Sequence, residues 1–342
     1  MKLPMVVSVV VTGLLSACGG GSGGGQPGSP STPQPQSYTI PAQSVNDFQS
    51  YAVTGQYSGI YGAGNVQYRH VNVTTQVYAD GSFSQDRVED QDEQRTTYDY
   101  SGDGGIKAQV GTNCQYVYTP SLAEVPGTLT LGQTWSNSST VGCAGSSTID
   151  STWSVTGSVV GIESVTVVAG TFSAIKTTVT STVKYKSGSV SVSNNTCWRD
   201  TVTGYTVKCD MTNNYTPSGS STGQQYKVAQ ELIGYAHALS GRQKLNVERF
   251  AGKWQATYTG AHSSLCAVDI SAAGVISGLC FDVFGTSWDI TGTVDAQGVT
   301  SFNLISGGSS GSNFSGTLVS PLKVAGTWRI GSDNGTWSML HL

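Results

Sequence analysis

Cysteine is the residue type in this chain with the widest choice of chemistry, because a thiol can form a disulfide, bind a metal or accept a lipid. The chain has seven cysteines, an odd number, so at least one of them does something other than pair within the molecule. The first, Cys18, stands where an apolar run ends and a glycine-rich run begins. The other six are spread over the rest of the chain: Cys114, Cys143, Cys197, Cys209, Cys266 and Cys280.

The residues before Cys18 have the pattern of an export signal. Lys2 supplies a positive start, residues 6–15 form an apolar core, and two small residues follow it. The core is about half as long as a membrane-spanning helix needs to be, so residues 1–17 are predicted to be a removable signal peptide. The run LSAC at residues 15–18 resembles the lipobox of bacterial lipoproteins. In that family the cysteine receives a diacylglyceryl group, the signal is cut before it, and the new amino terminus is acylated.

The lipobox resemblance predicts that fatty acyl chains such as palmitate attach Cys18 to a membrane without a spanning helix. Several acyl chains held together anchor durably, since each buried methylene contributes roughly 0.8 kcal/mol. Gly19 stands where many inner-membrane members of the family carry Asp, which favours the outer membrane, on its periplasmic or cell-surface side. An ordinary signal peptide before an unmodified cysteine is the alternative. Residues 18–37 are nearly all Gly, Ser, Pro and Gln, so they are predicted to be a flexible tether.

The spacing of Cys266 and Cys280 predicts a disulfide within one hairpin. The stretch LCAVDISAAGVISGLC folds as a hairpin about residues 272–274, with Gly274 in the left-handed position of a three-residue loop. Counting outward from the loop places the two cysteines opposite each other at a non-hydrogen-bonded site, where Cα atoms are about 4.5 Å apart. That separation is within disulfide reach.

The remaining cysteines allow a similar argument. In CWRDTVTGYTVKC a loop at residues 202–204 places Cys197 opposite Cys209, at a hydrogen-bonded site with a Cα spacing of about 5.5 Å. Cys114 and Cys143 then pair by elimination, although six cysteines allow fifteen pairings in principle. A zinc site is the competing interpretation, but the spacings lack a C-x-x-C pair and nearby histidines. Export also favours disulfides.

The other residue types that commonly perform catalysis form no recognisable constellation. The four histidines are scattered, no serine stands in a G-x-S-x-G elbow, and no glycine-rich loop precedes a helix. The acidic run DRVEDQDEQR could offer oxygen ligands to Ca²⁺, although a solvated strand end or loop is the favoured interpretation. Its acidic residues are Asp86, Glu89, Asp90, Asp92 and Glu93. We therefore predict no catalytic residue, no metal site and no cofactor.

The composition predicts an exported all-β protein with uncharged polar surfaces. Charged residues make up 11% of the chain, well under the roughly 25% that is usual for soluble domains. A net charge of −4 argues against binding to nucleic acid, which depends on cationic contacts to phosphate. The chain is long enough for two domains.

The first predicted domain, residues 38–240, reads as a series of antiparallel hairpins with turns at Asp80-Gly81 and near Asp103. Its segment ESVTVVAGTFSAIKTT resembles a V-x-V-P-A-G-T-F-x-A-x-K motif of uncharacterised bacterial envelope proteins, and CWRDTVTGYTVKC resembles the Trp hairpin that follows it. That family implies a strongly curved antiparallel sheet, a half-barrel like those of lipoprotein carriers. In such a sheet Gly170 would let the strand turn sharply and Phe172 would fill the concave side, with Trp198 as a further candidate.

The second predicted domain, residues 245–342, reads as a small up-and-down barrel of eight short strands, since closure removes exposed edges. The strands are predicted to begin near Lys253, Leu265, Val275, Thr286, Val299, Asn313, Lys323 and Gly335. The opening VERFAGKWQATY resembles the first strand of lipocalin-type barrels, which implies that Trp254 plugs one end. The G-T-W pattern recurs at Trp328 and Trp337. Small bacterial metalloprotease inhibitors also form eight-stranded barrels with a similar first strand.

These observations favour a non-enzymatic envelope lipoprotein, anchored to a membrane by its lipid, that binds an apolar ligand or a protein partner on a concave surface. Fold resemblance alone carries part of this interpretation. The alternative is an inhibitor of an exported protease, which requires residues 247–252 to be free to enter an active-site cleft. A hydrolase is a third hypothesis.

Overall fold

The structure is a computed structural model that describes residues 37–91, 95–111, 114–281, 284–306, 309–310 and 312–342. Signal peptide, Cys18 and most of the tether lie outside these ranges. Two short 3-10 helices span Ala238–Ser240 and Val247–Phe250. No helix within the described ranges is long and apolar enough to cross a membrane. The strands are β1 (Ser37–Thr39), β2 (Phe48–Gly59), β3 (Gly64–Val77), β4 (Phe83–Glu89), β5 (Thr96–Tyr100), β6 (Ile106–Val110), β7 (Gln115–Leu122), β8 (Thr128–Thr130), β9 (Thr134–Cys143), β10 (Ser151–Val167), β11 (Gly170–Tyr185), β12 (Val190–Asp200), β13 (Thr206–Thr216), β14 (Gln224–His237), β15 (Arg242–Lys244), β16 (Gly252–Gly260), β17 (Ser264–Ile270), β18 (Val275–Phe281), β19 (Ser287–Val294), β20 (Thr300–Ser306), β21 (Ser309–Ser310), β22 (Ser312–Ser320), β23 (Lys323–Ile330) and β24 (Asp333–His341).

The larger sheet is a closed barrel of twelve antiparallel strands, which corrects the expected half-barrel. Strands β2 to β7 and β9 to β13 pair in chain order, and β14 then pairs with both β13 and β2. This last pairing closes the ring. An open curved sheet would leave two rows of unpaired backbone groups at its edges, whereas closure gives those groups partners.

The inner wall of this large barrel is unusually polar. Because side chains alternate across a strand, Tyr51 and Val53 of β2 face the interior together with their cross-strand partners His70 and Tyr68 of β3. Both faces of β4 are largely buried. Buried polar side chains elsewhere in the barrel include Gln49, Asn72, Arg199 and Gln230. The sequence therefore lacks a clean alternation of apolar and polar residues along these strands.

A short two-stranded ribbon fills part of the barrel interior. β1 pairs with β8 through Tyr38 opposite Leu129. Leu129 of β8 and Ile40, which follows β1 in the chain, belong to the same buried cluster as Phe83 and Tyr100 from the barrel wall. The chain that enters from the tether is thus fixed in the core within a few residues of Ser37.

The C-terminal sheet is a closed barrel of eight antiparallel strands, as predicted. Its first strand, β16, pairs with its last, β24, and β19 pairs with β20. The interior is filled by its own side chains, with Trp254, Phe314 and Trp328 almost completely buried. The observed first residues differ from the predicted ones by no more than two positions: Gly252, Ser264, Val275, Ser287, Thr300, Ser312, Lys323 and Asp333.

The two barrels meet through an apolar contact. Leu322, in the turn between β22 and β23, is buried in one cluster with Phe48, Val71 and Val88 on the outer wall of the large barrel. The guanidinium carbon of Arg249 lies 4.7 Å from the centre of the Phe48 ring. This contact orients the small barrel against strands β2 to β4.

The structure joins the cysteines in the three pairs that the spacing suggests. The Cα atoms are 5.7 Å apart in Cys114–Cys143, 4.0 Å in Cys197–Cys209 and 3.9 Å in Cys266–Cys280. The spacing of Cys197–Cys209 is shorter than the sequence count predicts. Asp200 pairs with Tyr205 around a four-residue turn, and a register shift beyond Trp198 then places the cysteines opposite each other.

Candidate functional site

A partly open cavity of about 620 Å³ lies at the edge of the large barrel, beside the hairpin of β2 and β3. Three tyrosines, Tyr57, Tyr68 and Tyr226, line it together with Val66. The rings of Tyr57 and Tyr226 lie 6.0 Å apart between centroids. We call this space the tyrosine cavity. Its volume is within the range of sites that enclose small ligands.

Strand register brings the three tyrosines together. Tyr57 lies opposite both Tyr226 of β14 and Gly64 of β3, and Tyr68 lies opposite Val53. Gly64 is needed for close approach, because a Cβ atom at this position would lie only 2.8 Å from the hydroxyl oxygen of Tyr57. The aromatic wall therefore depends on the pairing of β2 with both β14 and β3, and on the lack of a side chain at Gly64.

A polar rim borders the aromatic wall. Asn65, Gln67 and Gln91 supply amide groups, and the Gln91 side chain donates a hydrogen bond of 2.6 Å to the backbone carbonyl of Gln67. Arg69 and Asp90 form an ion pair whose Nη1 and Oδ2 atoms are 3.6 Å apart. Asp90 also accepts a hydrogen bond from the backbone N–H of Arg69. The rim thus offers uncharged hydrogen-bonding groups beside a neutralised pair of charges.

A buried histidine stands next to the cavity wall. The His70 ring lies 6.1 Å from that of Tyr68 and 5.0 Å from that of Tyr51. Neither ring nitrogen has a hydrogen-bond partner among the described residues. Burial lowers the pKa of His70 well below its usual value, and the nearby positive charge of Arg87 lowers it further. His70 is therefore a neutral imidazole with one donor and one acceptor.

A second group of titratable side chains lies elsewhere in the barrel. Glu124, in the connection between β7 and β8, is buried, and burial raises the pKa of its carboxyl to about 8 despite the opposing effect of Arg199. The Glu124 carboxyl lies close enough to Tyr98 and Tyr118 that a negative charge on it would raise the pKa values of both phenols. Glu124 therefore stays protonated at neutral pH.

A larger hollow of about 810 Å³ lies across strands β2 and β11 to β14. Much of its lining consists of threonines, which alternate along the strands with inward-facing residues. These threonines include Thr178, Thr180, Thr196 and Thr212. It has no aromatic lining residue among those described. We favour the tyrosine cavity as the functional site, because aromatic rings offer far more apolar contact area than threonine methyls.

The predicted tryptophans of the small barrel are core residues. The ring of Trp254 stacks on His341 at 4.4 Å between centroids, and its N–H donates to the Phe250 carbonyl. The indole N–H of Trp328 donates to the Thr259 carbonyl and that of Trp337 to the Ser315 carbonyl, and both rings are also buried. None of these three residues lines the tyrosine cavity.

The predicted residues of the large barrel also lie outside the cavity. Phe172 packs against Tyr235 at 5.7 Å between ring centroids, where the tip of the β10–β11 hairpin folds over β14. Trp198 is buried beneath Lys176, whose ammonium nitrogen is 4.9 Å from the centre of the ring. The indole N–H of Trp198 donates to Glu163. Both residues stabilise the wall and do not form a pocket.

The described part of the acidic run is engaged in ion pairs. Asp86 pairs with Arg95 at 3.2 Å, Glu89 pairs with Arg87 at 2.7 Å, and Asp90 pairs with Arg69. Asp92 and Glu93 lie outside the described residues. Within the described ranges, no group of three or more His, Cys, Asp or Glu side chains is placed to hold a metal ion.

The segment that a protease inhibitor would need is packed against the barrels. Val247–Phe250 is a 3-10 helix in which Arg249 and Phe250 are buried. Phe250 belongs to the core of the small barrel, and Arg249 donates a hydrogen bond of 3.0 Å to the carbonyl of Ala296. This segment is not free to enter a cleft. The structure therefore does not meet the requirement of the inhibitor hypothesis.

The tyrosine cavity was missed at the sequence level. Tyr57, Tyr68 and Tyr226 read as ordinary strand residues, and His70 was one of four scattered histidines. The available signal is the spacing of Val66, Tyr68 and His70 at every second position, which places them on one face of a strand. That pattern alone does not say which strands lie beside it.

No protein family and no curated protein sequence matches this chain. Among solved structures, the hypothetical lipoprotein YmcC from Escherichia coli K12 is 13% identical, with 52% of this chain and 85% of YmcC covered and a TM-score of 0.26. A protein described as exported, with a YmcC-like fold, from Bacteroides fragilis NCTC 9343 is 8% identical. The match covers 59% of this chain and 100% of that protein, with a TM-score of 0.28. A protein described as a lipoprotein from Parabacteroides distasonis ATCC 8503 is 10% identical. The match covers 59% of this chain and 100% of that protein, with a TM-score of 0.24. Likeness at this level carries no argument about activity.

Proposed function

We propose that this chain is a non-enzymatic lipoprotein of the bacterial outer membrane, anchored through lipid on Cys18, that binds a small amphipathic ligand in the tyrosine cavity. The observation that carries the ligand proposal is the composition of a cavity of about 620 Å³ whose wall is aromatic and whose rim is amide-rich. The anchor proposal depends on the lipobox-like LSAC run.

The lining of the cavity favours an amphipathic ligand over a purely apolar one. The rings of Tyr57, Tyr68 and Tyr226 offer apolar faces to a ring or short chain. Asn65 and Gln67 offer amide donors and acceptors, which a purely apolar ligand would cover without giving them partners. The best fit is a ligand with one apolar surface and several uncharged polar groups.

The electrostatics favour binding over catalysis. The two charged residues described at the rim, Arg69 and Asp90, pair with each other, and Arg69 also lies 3.9 Å from Glu248. Behind the wall, Arg87 pairs with Glu89 at 2.7 Å. His70 is held neutral, because burial lowers its pKa well below the usual value, so it suits hydrogen bonding better than proton transfer at neutral pH.

The ligand proposal is tested by native mass spectrometry of the protein extracted from its own membranes. We expect a co-purifying small molecule, and we expect Tyr226→Ala to lose it, because Tyr226 supplies one face of the cavity. Tyr61→Ala is the matched control, since Tyr61 is 47% exposed near the same hairpin and does not line the cavity. Equal retention of the ligand by both variants, or a wild-type protein that carries none, would contradict the proposal.

The anchor is tested separately by the mass of the mature N-terminal peptide. We expect a fatty-acylated Cys18 at the new amino terminus, and we expect Cys18→Ser to release the protein from the membrane fraction. A free thiol at Cys18 in a soluble mature protein would refute the anchor and leave the ligand proposal standing.

A further inference from the structure

The outer wall of the small barrel carries a cluster of exposed apolar side chains. Leu265 of β17 and Phe281 of β18 lie opposite each other and are 51% and 48% exposed. Leu279, two residues along β18, is 41% exposed, and Phe284 in the following loop is 90% exposed. We call these four residues the apolar tip.

The apolar tip is separate from the core of the small barrel. The alternate residues Cys266 and Cys280, which lie opposite each other on the same two strands, face inward and are buried. An exposed leucine on its own needs no explanation, but adjacent leucine and phenylalanine side chains on one surface indicate a contact with something outside the molecule.

The apolar tip lies at the end of the small barrel that faces away from the large one. Successive turns of an up-and-down barrel alternate between its two ends. The turn at Leu322 and the carbonyl of Ala296 are at the end that meets the large barrel and the Arg249 segment. The loop with Phe284 is at the other end, together with the loops joined by the 3.0 Å contact between His262 and Asp333.

The chain outside the structure allows this end to reach a membrane. Residues 19–36 separate Cys18 from the first described strand residue, Ser37. These 18 residues span at most about 60 Å when extended and about 23 Å as a flexible coil. The nine residues of β16 give the small barrel a length of about 30 Å. A tether near full extension therefore exceeds the length of the small barrel, whereas a coiled one does not, so a protein lipidated at Cys18 lays this end on the same bilayer only with its tether extended.

We propose that the apolar tip inserts into the interface of a phospholipid bilayer. With 90% of its surface exposed, Phe284 can contact lipid without a rearrangement of the barrel. The net charge of −4 offers no general attraction to anionic lipid, so the contact is apolar and insensitive to salt. The inference about which membrane is touched rests on the proposed lipid anchor, whereas the affinity of the tip for lipid does not.

The test uses full-length protein carrying Cys18→Ser, which has no lipid of its own, and vesicles of phosphatidylcholine and phosphatidylethanolamine. We expect weak co-sedimentation that is equal at 50 and 500 mM salt. Adding Phe281→Ser and Phe284→Ser should lower the bound fraction at least tenfold. Val299→Ser with Val319→Ser is the matched control, since these valines are 53% and 60% exposed on the same barrel, and it should bind normally.

A second measurement keeps the inference testable where the unlipidated protein binds too weakly. Phe284→Trp is introduced into the wild-type chain, which is then reconstituted into vesicles containing brominated lipid, and we expect quenching of the additional emission. Absence of quenching, or equal vesicle binding by the tip and control variants, would overturn the inference. Self-association that the tip substitutions abolish, without lipid binding, would instead identify a second copy of the chain as the partner. A free thiol at Cys18 with tip-dependent vesicle binding would refute the anchor alone.

Discussion

Glu124 provides a quantitative test of the buried polar interior. Burial raises the pKa of its carboxyl to about 8 in the folded protein, against 4.5 for an exposed glutamate, so the folded state holds this proton over a wide pH range in which the unfolded state releases it. A raised folded-state pKa contributes stability that is fully present below the unfolded pKa and is lost as pH rises towards the folded pKa. The pH window for this loss therefore runs from about 4.5 to about 8.

Glu124→Gln should remove this dependence, because the amide is close in shape to the protonated carboxyl and does not ionise. The two pKa values predict that the free energy of unfolding of the variant, minus that of the wild type, rises by about 2.5 kcal/mol between pH 5 and pH 7 and by about 4 kcal/mol by pH 8.5. The measurement is guanidinium unfolding of both proteins at the three pH values under non-reducing conditions.

The test compares the difference in unfolding free energy between the variant and the wild type, because the titration of all other groups cancels in that difference. Glu231→Gln on the outer wall controls for the general effect of the substitution. A difference that stays constant within about 0.5 kcal/mol from pH 5 to pH 8.5 would show that Glu124 titrates normally in the folded protein, and the polar interior would then be open to water.

Three further predictions concern stability. Leu322→Ala should cost about 2–4 kcal/mol at the contact between the barrels and split the calorimetric unfolding into two transitions; one unchanged transition would contradict this. Replacing Cys266 and Cys280 by serine opens a loop with a sequence separation of 14, which should cost about 3 kcal/mol in denaturant unfolding, and an unchanged midpoint would count against the disulfide. Gly204→Ala should lower the melting temperature, because Gly204 has a φ of 71° and a Cβ atom there would lie 2.4 Å from Ile40; a variant as stable as wild type would refute this crowding.

The small barrel could be read from the sequence because its signals are local. Each strand has seven to nine residues, inward residues such as Cys266 and Val268 alternate with outward ones, and the turns contain glycine at positions such as Gly274, whose φ is 79°. Strand order then follows chain order, so antiparallel neighbours are also sequence neighbours. Among the described strands of this barrel, only the pairing of β16 with β24 is distant in the chain, and closure of a small sheet makes that pairing predictable.

Closure of the large barrel could not be read in the same way. It depends on β14 lying beside β2, a pairing between residues such as Leu232 and Tyr51 that are far apart in the chain. Interior positions are occupied by His70 and Gln230 as well as by apolar residues, so the inward face has no distinct composition. The tyrosine cavity follows from this closure, because Tyr226 joins Tyr57 only when the ring is complete.

The pairing of the first strand with the last in both barrels constrains the order in which the chain can fold. Local hairpins such as β10–β11 need only residues that are close in the chain, so they can form early. β2, by contrast, has to wait for β14, and β16 has to wait for β24. Until those strands arrive, each sheet exposes two unpaired edges, the condition in which β-rich chains aggregate. The interval between formation of β2 and arrival of β14 is therefore the time when this chain is most prone to aggregation.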